Sequence, residues 1–214
     1  MAKIKAGILS KVSGKVAGVV GGTWKGTNYL RELVKPSNPN TPLQQAQRGK
    51  MAFVVASARQ IVGDILNPYL NKFCKTMSGY NWFCRENIGK LGGDPLKFTS
   101  APQLSFGTLG SGSISTDALD QNLEFNFPTI PNVPAGHALK AIACIVGEDG
   151  KFYSIKTINN PTAGTGVEID TTGMPVGTNF YYGLAFFADF DANGVLQAIS
   201  TSVATAKTSI QITE

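Results

Sequence analysis

The chain of 214 residues is 43% apolar and 15% charged, the composition of a globular protein that is long enough to bury a sizeable core. No apolar run reaches the roughly 18 residues that a membrane-spanning helix needs, and Lys11 and Lys15 interrupt the apolar stretch that a signal peptide would require. The net charge of +5 hides an asymmetry, because residues 1–97 carry 15 Lys/Arg and 4 Asp/Glu whereas residues 98–214 carry 4 Lys and 10 Asp/Glu. We therefore expect no membrane contact, and either an acidic partner for the first half or front-to-back contact between copies.

Residues 1–40 are glycine-rich and strongly basic, and they predict extended backbone broken by turns. Residues 15–20 and 23–30 have the length and the β-branched content of two strands, and Gly21-Gly22 has the composition of a hairpin turn between them. A two-stranded hairpin is marginally stable in water. We therefore predict an extended basic N-terminal β-arm, which gains its order from the rest of the chain or from a neighbouring molecule.

A short helical region is predicted over residues 41–95, and its start is the clearest local signal in the chain. Thr41 can cap a helix, Pro42 suits the first helical position, and Gln44 completes a capping box. Apolar residues then recur at the spacing of an amphipathic helix. The residues of this stripe are Met51, Val54, Val55, Ala58, Ile61, Val62, Ile65 and Leu66.

Two breaks are predicted within the helical region and one at its end. Asn67-Pro68 kinks or ends the first helix, because proline lacks the N–H group that a helix interior requires. A second, aromatic-rich helical piece is interrupted near Ser78-Gly79. Residues 91–95 contain two glycines and a proline, so they predict a turn and mark a domain boundary.

After the helical region the pattern changes to the alternation of period two that is typical of strands. Residues 148–150 and 191–194 have the composition of hairpin turns. The candidate strands are residues 102–106, 112–116, 122–127, 138–146, 151–157, 165–170, 178–188 and 195–204, with a tail to 212. This succession without helices predicts an immunoglobulin-like antiparallel β-sandwich. The chain is thus predicted to be α+β, with domains 1–40, 41–95 and 96–214.

The sequence contains no arrangement of residues that predicts catalysis. His137 is the only histidine, and it follows Pro134-Ala135-Gly136 in an apparent turn, where we expect it to be exposed. A nucleophilic triad needs a histidine beside both a nucleophile and an orienting carboxylate. Acidic residues of the second half, such as Glu124 and Glu168, are expected to be solvated on turns and strand rims. We therefore predict a non-enzymatic protein without catalytic residues or a cofactor.

A calcium loop is the metal motif that the sequence approaches. The residues from Asp189 to Gly194 match its opening, but its twelfth position is Ser200, where a bidentate glutamate is needed. A hairpin turn is the simpler interpretation, and we predict no metal site. The three cysteines lack metal-ligand spacing and are expected to be buried, reduced thiols. They are Cys74, Cys84 and Cys144.

The basic arm carries the residues that we expect to contact another molecule, and three interpretations of it remain open. Its strands add to the sheet of a neighbouring copy, or its cations meet phosphates while its aromatic rings stack on bases, or it folds back on its own helices with a solvated basic face. Interleaved glycine and β-branched residues favour the first interpretation. The predicted contact residues are Lys11, Lys15, Trp24, Lys25, Tyr29, Arg31, Lys35 and Arg48.

Short motifs in the first fifty residues carry a resemblance to a known family. They are Gly7-Ile8-Leu9, Ser13-Gly14-Lys15-Val16, Val19-Val20-Gly21, Trp24-Lys25-Gly26, Asn38-Pro39-Asn40-Thr41-Pro42, and Gln45 with Arg48. On these motifs the chain resembles an uncharacterised family of small proteins from Bacteroidetes bacteria and their phages. It departs from the family pattern at Ser10-Lys11, where a glycine pair is usual, and at Ala17, where a glycine is usual. The resemblance implies no known activity, and occurrence in phage genomes implies a structural role in the virion.

These observations lead to one hypothesis and two alternatives. We expect a self-assembling structural protein of a phage particle (a capsid, head–tail or tail component), made in the cytoplasm and then located in the assembled virion. Its expected partners are copies of itself and other virion proteins. The alternative is a nucleic-acid-binding protein that uses the basic arm. A third class, a carbohydrate- or surface-binding module, has no support from the short loops.

Overall fold

The computed structural model describes residues 2–4, 13–24, 27–35, 37–119, 122–164, 166–170, 179–205 and 208–209. The chain divides into two units, Met1–Pro42 and Leu43–Glu214. Its described residues contain two α-helices and several antiparallel sheets, so the protein is α+β, as predicted. No helix in the described ranges is both long enough and apolar enough to cross a membrane.

A four-stranded antiparallel sheet makes up the described part of the first unit. Its strands are β1 (Ala2–Ile4), β2 (Gly14–Val16), β3 (Val19–Trp24) and β4 (Thr27–Glu32). Their order is β1-β4-β3-β2, so that β1 and β2 form the two edges. The sheet is therefore broader than the predicted two-stranded hairpin, because a short strand is added on either side of the β3–β4 pair.

The position of the turn before β3 corrects one prediction. Gly21-Gly22 lies inside β3, where Gly22 pairs with Tyr29, and the chain reverses at Ala17-Gly18 instead. Ala17 adopts the left-handed conformation with φ of 49°. A Cβ atom at Gly22 would lie 2.9 Å from Oη of Tyr29. The glycine pair predicted a turn wrongly because its second member gives room to an aromatic ring within the sheet.

The second unit begins with a helical segment that changes geometry before its proline. The α-helix α1 (Pro42–Ile61) starts at the predicted proline, and a π-helix (Val62–Leu70) continues it. Pro68 lies inside the π-helix. Proline cannot donate a helical hydrogen bond and crowds the carbonyl four residues before it, which the wider π turns accommodate. Helical backbone therefore passes through Asn67-Pro68, although the α-helix ends before it.

The second α-helix, α2 (Gly79–Asn87), begins at the predicted interruption. Ser78 is its N-cap, and its side chain accepts a hydrogen bond from the N–H of Asn81 at 3.2 Å. This bond satisfies one of the N–H groups that the first turn of a helix leaves without a partner. A single 3-10 turn (Ile88–Lys90) follows α2 and leads into the strands.

Ten strands complete the described part of the second unit. They are β5 (Leu91–Gly92), β6 (Lys97–Phe98), β7 (Ser113–Leu119), β8 (Asn122–Thr129), β9 (Ala138–Gly147), β10 (Phe152–Asn159), β11 (Gly166–Asp170), β12 (Asn179–Phe190), β13 (Leu196–Ile199) and β14 (Thr208–Ser209). They form a five-stranded sheet of order β10-β9-β12-β13 with β14 on β12, a three-stranded sheet of order β11-β8-β7, and the β5-β6 pair. The predicted strand at residues 102–106 is wrong, because this segment is irregular backbone. Its Leu104 N–H donates to Oγ of Ser202 at 3.0 Å.

The five-stranded sheet is covered on both faces. Ile142 and Cys144 of β9 belong to a hydrophobic cluster with buried side chains of both α-helices and the π-helix. Ala141 and Ala143, which alternate with them, belong to a second cluster with Phe125 and Phe127 of the three-stranded sheet. Because side chains alternate along a strand, helices cover one face of β9 and a second sheet covers the other. Burial on both faces explains why the sequence of β9 is an almost unbroken run of apolar residues.

The helices and the sheets share the first of these clusters. Leu91 and Phe98 stand on either side of the predicted boundary at residue 95, yet both are buried in it. The division of the chain into domains 1–40, 41–95 and 96–214 stays a prediction, because shared packing does not test which parts fold alone.

The three cysteines are free. Cys84 and Cys144 are buried, as predicted, whereas Cys74 is half-buried. Burial raises the pKa of all three thiols, and it does so most strongly at Cys144 inside the five-stranded sheet. They are therefore poor nucleophiles.

Candidate assembly surface

Strand register brings three of the predicted contact residues together on one face of the N-terminal sheet. Lys15, Val20 and Arg31 are Cα partners across β2, β3 and β4, so their side chains share a face. Tyr29 stands two residues before Arg31 on β4 and therefore points to the same side. We call Lys15, Val20, Tyr29 and Arg31 the basic face. The ring of Tyr29 packs over Gly22 of β3.

The cations of the basic face are not neutralised by neighbouring carboxylates. Lys15 and Arg31 are exposed, and neither is in an ion pair with another described residue. Residues 1–42 as a whole contain seven Lys/Arg and one acidic residue, Glu32. Glu32 belongs to the opposite face, where it is the Cα partner of Val19. Lys15 and Arg31 are therefore exposed cations that no described carboxylate pairs with.

The opposite face of the sheet carries exposed valines. Val16 and Val19, which are Cα partners and which we call the valine face, are 59% and 39% exposed. Leu33 and Val34, just after β4, are also exposed. Of residues 13–23 and 27–35, Gly21 alone is buried, and it has no side chain. The side chains in these two ranges are therefore exposed or half-buried, and Val20, Tyr29 and Leu30 are among the half-buried ones.

The other predicted contact residues have different positions. Lys11 and Lys25 lie outside the described residues, and Trp24 is the last residue of β3. Lys35 is exposed beyond the end of β4. Arg48 is exposed on α1, which belongs to the second unit. Lys15, Tyr29 and Arg31 thus lie on one face of the N-terminal sheet. Lys35 and Arg48 lie outside its strands.

A row of acidic positions crosses the three-stranded sheet of the second unit. Glu124 on β8 is the Cα partner of Asp117 on β7 and of Glu168 on β11. Phe125 and Ile169, the next residues on β8 and β11, are buried in the second cluster, so Glu124 and Glu168 face outward. Neither glutamate is in an ion pair within the described ranges. We call Asp117, Glu124 and Glu168 the acidic row.

Local packing makes room for the carboxylate of Glu124. A Cβ atom at Gly166 would overlap the carboxylate of Glu124, so glycine leaves the room that this carboxylate occupies. Lys156 donates to the backbone carbonyl of Glu168 at 2.7 Å, which directs its ammonium group to the main chain. Like charges directly opposite each other in a sheet are destabilising. The acidic row was missed in the sequence because it exists only once three distant strands are paired.

His137 is more enclosed than the sequence predicted. Its Nδ1 lies 2.8 Å from Oδ1 of Asp189, a buried residue of β12, and its side chain is 24% exposed. His137 borders a notch of about 460 Å³ that Lys140 and Asp191 also line. Within the described residues, Asp189 is the only partner of the His137 ring, so no nucleophile stands beside it as a triad requires. The hydrogen bond between His137 and Asp189 gives both partly or fully buried polar groups a partner, which is a structural role.

The segment that matches half of a calcium loop is a hairpin turn closed by its own side chain. Oδ1 of Asp191 accepts hydrogen bonds from the N–H groups of Val195 and Asn193, both at 2.9 Å. These bonds, that of Val195 foremost, lower the pKa of the Asp191 carboxyl. Asp189 is already paired with His137. Within the part of the chain that the structure describes, no three His, Cys, Asp or Glu residues are placed to hold a metal ion.

The fold and this surface define a class: a mixed α+β protein whose first unit contains a four-stranded antiparallel sheet with exposed cations on one face. A family model described as a family of unknown function (DUF6266) matches residues 11–88. The match includes β2 to β4, α1 and α2, and hence the basic face, but it excludes the acidic row. It supports the resemblance of the N-terminal part to an uncharacterised family. No curated protein and no solved structure matches the chain.

Proposed function

We propose that this protein is a non-enzymatic, self-assembling structural protein whose N-terminal arm docks on a neighbouring subunit. The observation that carries the proposal is the sheet of the first unit, in which every side chain of residues 13–23 and 27–35 is exposed or half-buried. Ordering a residue costs about 1–2 kcal/mol of conformational free energy, and isolated sheets recover this by covering an apolar face. A neighbouring subunit supplies such a cover.

The edges of the N-terminal sheet support the same proposal. Strands β1 and β2 form the two edges in the described residues. An edge strand offers backbone N–H and C=O groups to another strand, which is how β-augmentation joins two chains. Burying the valine face would add to this, because a fully buried valine contributes about 1.5–3 kcal/mol.

The particle to which the protein belongs is part of the proposal. We place it in a phage virion, as a capsid, head–tail or tail component, on the resemblance of its first fifty residues to proteins of Bacteroidetes and their phages. Its partners are then copies of itself and other virion proteins, and it moves from the cytoplasm to the assembled particle. Residues 96–214 would form an immunoglobulin-like sandwich, for which the two facing antiparallel sheets are the support.

Oligomeric state tests this proposal. The full chain and a variant that lacks residues 1–40 are compared by size-exclusion chromatography with light scattering over a range of concentrations. We expect the full chain to assemble and the shortened chain to remain folded, by circular dichroism, and monomeric. Negative-stain images of the full chain should show rings, tubes or particles. A full chain that stays monomeric at high concentration contradicts the proposal.

A nucleic-acid-binding function is the second candidate, and the basic face favours it. Lys15 and Arg31 are exposed on the same side as Tyr29, an aromatic ring that can stack on a base. Binding through phosphates weakens with salt, with a slope in log K of about −0.9 per phosphate neutralised on duplex DNA. A salt titration against DNA and RNA separates the two functions, because an assembly protein will not retain labelled nucleic acid in 150 mM salt, about physiological ionic strength.

A further inference from the structure

We propose that the basic face of one copy docks on the acidic row of a second copy. The inference rests on the proposed function, because it names the partner surface of the same N-terminal sheet. The basic face is Lys15, Val20, Tyr29 and Arg31, and the acidic row is Asp117, Glu124 and Glu168. Both are short rows of positions across three paired strands, and Lys15, Arg31 and Glu168 are exposed.

The two surfaces match in spacing. Lys15 on β2 and Arg31 on β4 are separated by one strand, β3. Neighbouring strands lie about 4.8 Å apart, so the backbone positions of the two cations are about 10 Å apart. Asp117 on β7 and Glu168 on β11 are likewise separated by β8, which carries Glu124 between them. Two long cationic side chains therefore span the same width as three acidic positions.

The two surfaces also match in charge. Lys15 and Arg31 have no ion pair with a described residue, and neither do Glu124 and Glu168. The glutamates repel each other across the β8–β11 pair, and a cation from another molecule relieves that repulsion. Tyr29 adds an amphipathic ring to the basic face, a residue type that is enriched at protein interfaces. Complementary charge of this kind sets the orientation and the partner more than it sets affinity.

The inference fixes the type of assembly. The basic face and the acidic row are different patches, so each copy uses one patch to bind the copy ahead and the other to bind the copy behind. Such a heterologous contact gives closed rings or open filaments, whereas a two-fold dimer would need one patch to face itself. Rings and tubes are the assemblies expected of a repeating virion component.

Charge reversal in the full chain tests the inference. One variant carries Lys15→Glu and Arg31→Glu, and a second carries Glu124→Lys and Glu168→Lys. We expect each alone to be folded and monomeric by light scattering in 150 mM salt, and an equimolar mixture to assemble again, because each reversed patch then meets its opposite charge on the other variant. The control for net charge is Arg59→Glu with Lys75→Glu, two exposed cations of the second unit, which should assemble like the wild type. Glu124→Gln with Glu168→Gln serves as a milder second variant, and it should raise the dissociation constant at least tenfold.

The outcomes separate this inference from the proposed function. A monomeric wild type contradicts both. If the wild type assembles and both reversed variants do so equally well, self-assembly stands and the charged rows are not its contact. Loss of assembly in Val16→Thr with Val19→Thr, together with intact assembly of Lys15→Glu with Arg31→Glu, would assign the contact to the valine face. Reversals that change the Stokes radius of a monomer without changing subunit number would place the basic face on its own chain, which also overturns the inference.

Discussion

One substitution in the acidic row, Glu168→Gln, is expected to raise the free energy of unfolding and to weaken assembly. Glu168→Gln removes one of two carboxylates that stand directly opposite each other on β8 and β11. Directly opposite residues have Cβ atoms about 5 Å apart, and two unit charges at that spacing in water repel by about 0.8 kcal/mol, which a Debye length of about 8 Å reduces to about 0.4 kcal/mol. We therefore expect the unfolding free energy to rise by about 0.4 kcal/mol, which is about 1–2 °C in Tm for a chain of this size.

The assay is designed to keep assembly out of the stability measurement. Glu168→Gln is introduced into the Lys15→Glu, Arg31→Glu background, because oligomerisation would itself raise Tm by mass action. A double-mutant cycle with Glu124→Gln isolates the repulsion, since the gain should vanish when the other carboxylate is already neutral. It should also nearly vanish in 1 M salt, where the Debye length is about 3 Å. An equal gain in the Glu124→Gln background, or none in either, would refute the reasoning.

Three further predictions concern the fold. Phe187→Ala should destabilise the chain by about 3–5 kcal/mol in urea denaturation, because Phe187 is buried in the second cluster, and a loss below 1 kcal/mol would contradict its place there. Asp191→Ala should lower Tm at neutral pH, because the hydrogen bond from the Val195 N–H lowers the pKa of the Asp191 carboxyl in the folded state. The loss in Tm should shrink as the pH falls below 3.8, the ordinary pKa of the group, because protonation removes this stabilisation. A difference in Tm that does not change between pH 7 and pH 2 would contradict this cause. In the native protein a thiol reagent should modify half-buried Cys74 before buried Cys144, as mass spectrometry after limited labelling can check, and the reverse order would contradict the packing.

Local signals in the sequence predicted the elements that depend on local chemistry. Pro42 gave the predicted start of α1, because first-turn preferences act within a few residues. Ser78-Gly79 was predicted as a break in a helical piece, and α2 begins there with Ser78 as its N-cap. The hairpin turn at residues 191–194 was predicted for the same reason, since Asp191 closes it through its own side chain. These predictions needed no knowledge of the rest of the fold.

The predictions that failed depend on contacts between distant residues. Gly21-Gly22 has turn composition, but Tyr29 on the next strand occupies the space beside Gly22. His137 has the surroundings of an exposed turn, yet its partner Asp189 is 52 residues away in the sequence. A turn propensity or a local pattern contains no information about a side chain that arrives from another strand.

The candidate site was predictable only in part for the same reason. The sequence singled out Lys15, Tyr29 and Arg31 by composition, and register on the N-terminal sheet then gave them a common face. As single residues, Glu124 and Glu168 predict only solvated strand positions, because their alignment requires the β8–β11 pairing. Net charge indicated that the two halves of the chain differ, but it could not say which residues form a surface.

The central claim is that the N-terminal arm joins neighbouring subunits. Light scattering tests it most directly, with the full chain and the chain without residues 1–40 at matched concentrations. The account predicts a defined multiple of the subunit mass for the full chain and a single, folded subunit for the shortened one. Two monomers, or two assemblies of the same size, would contradict it.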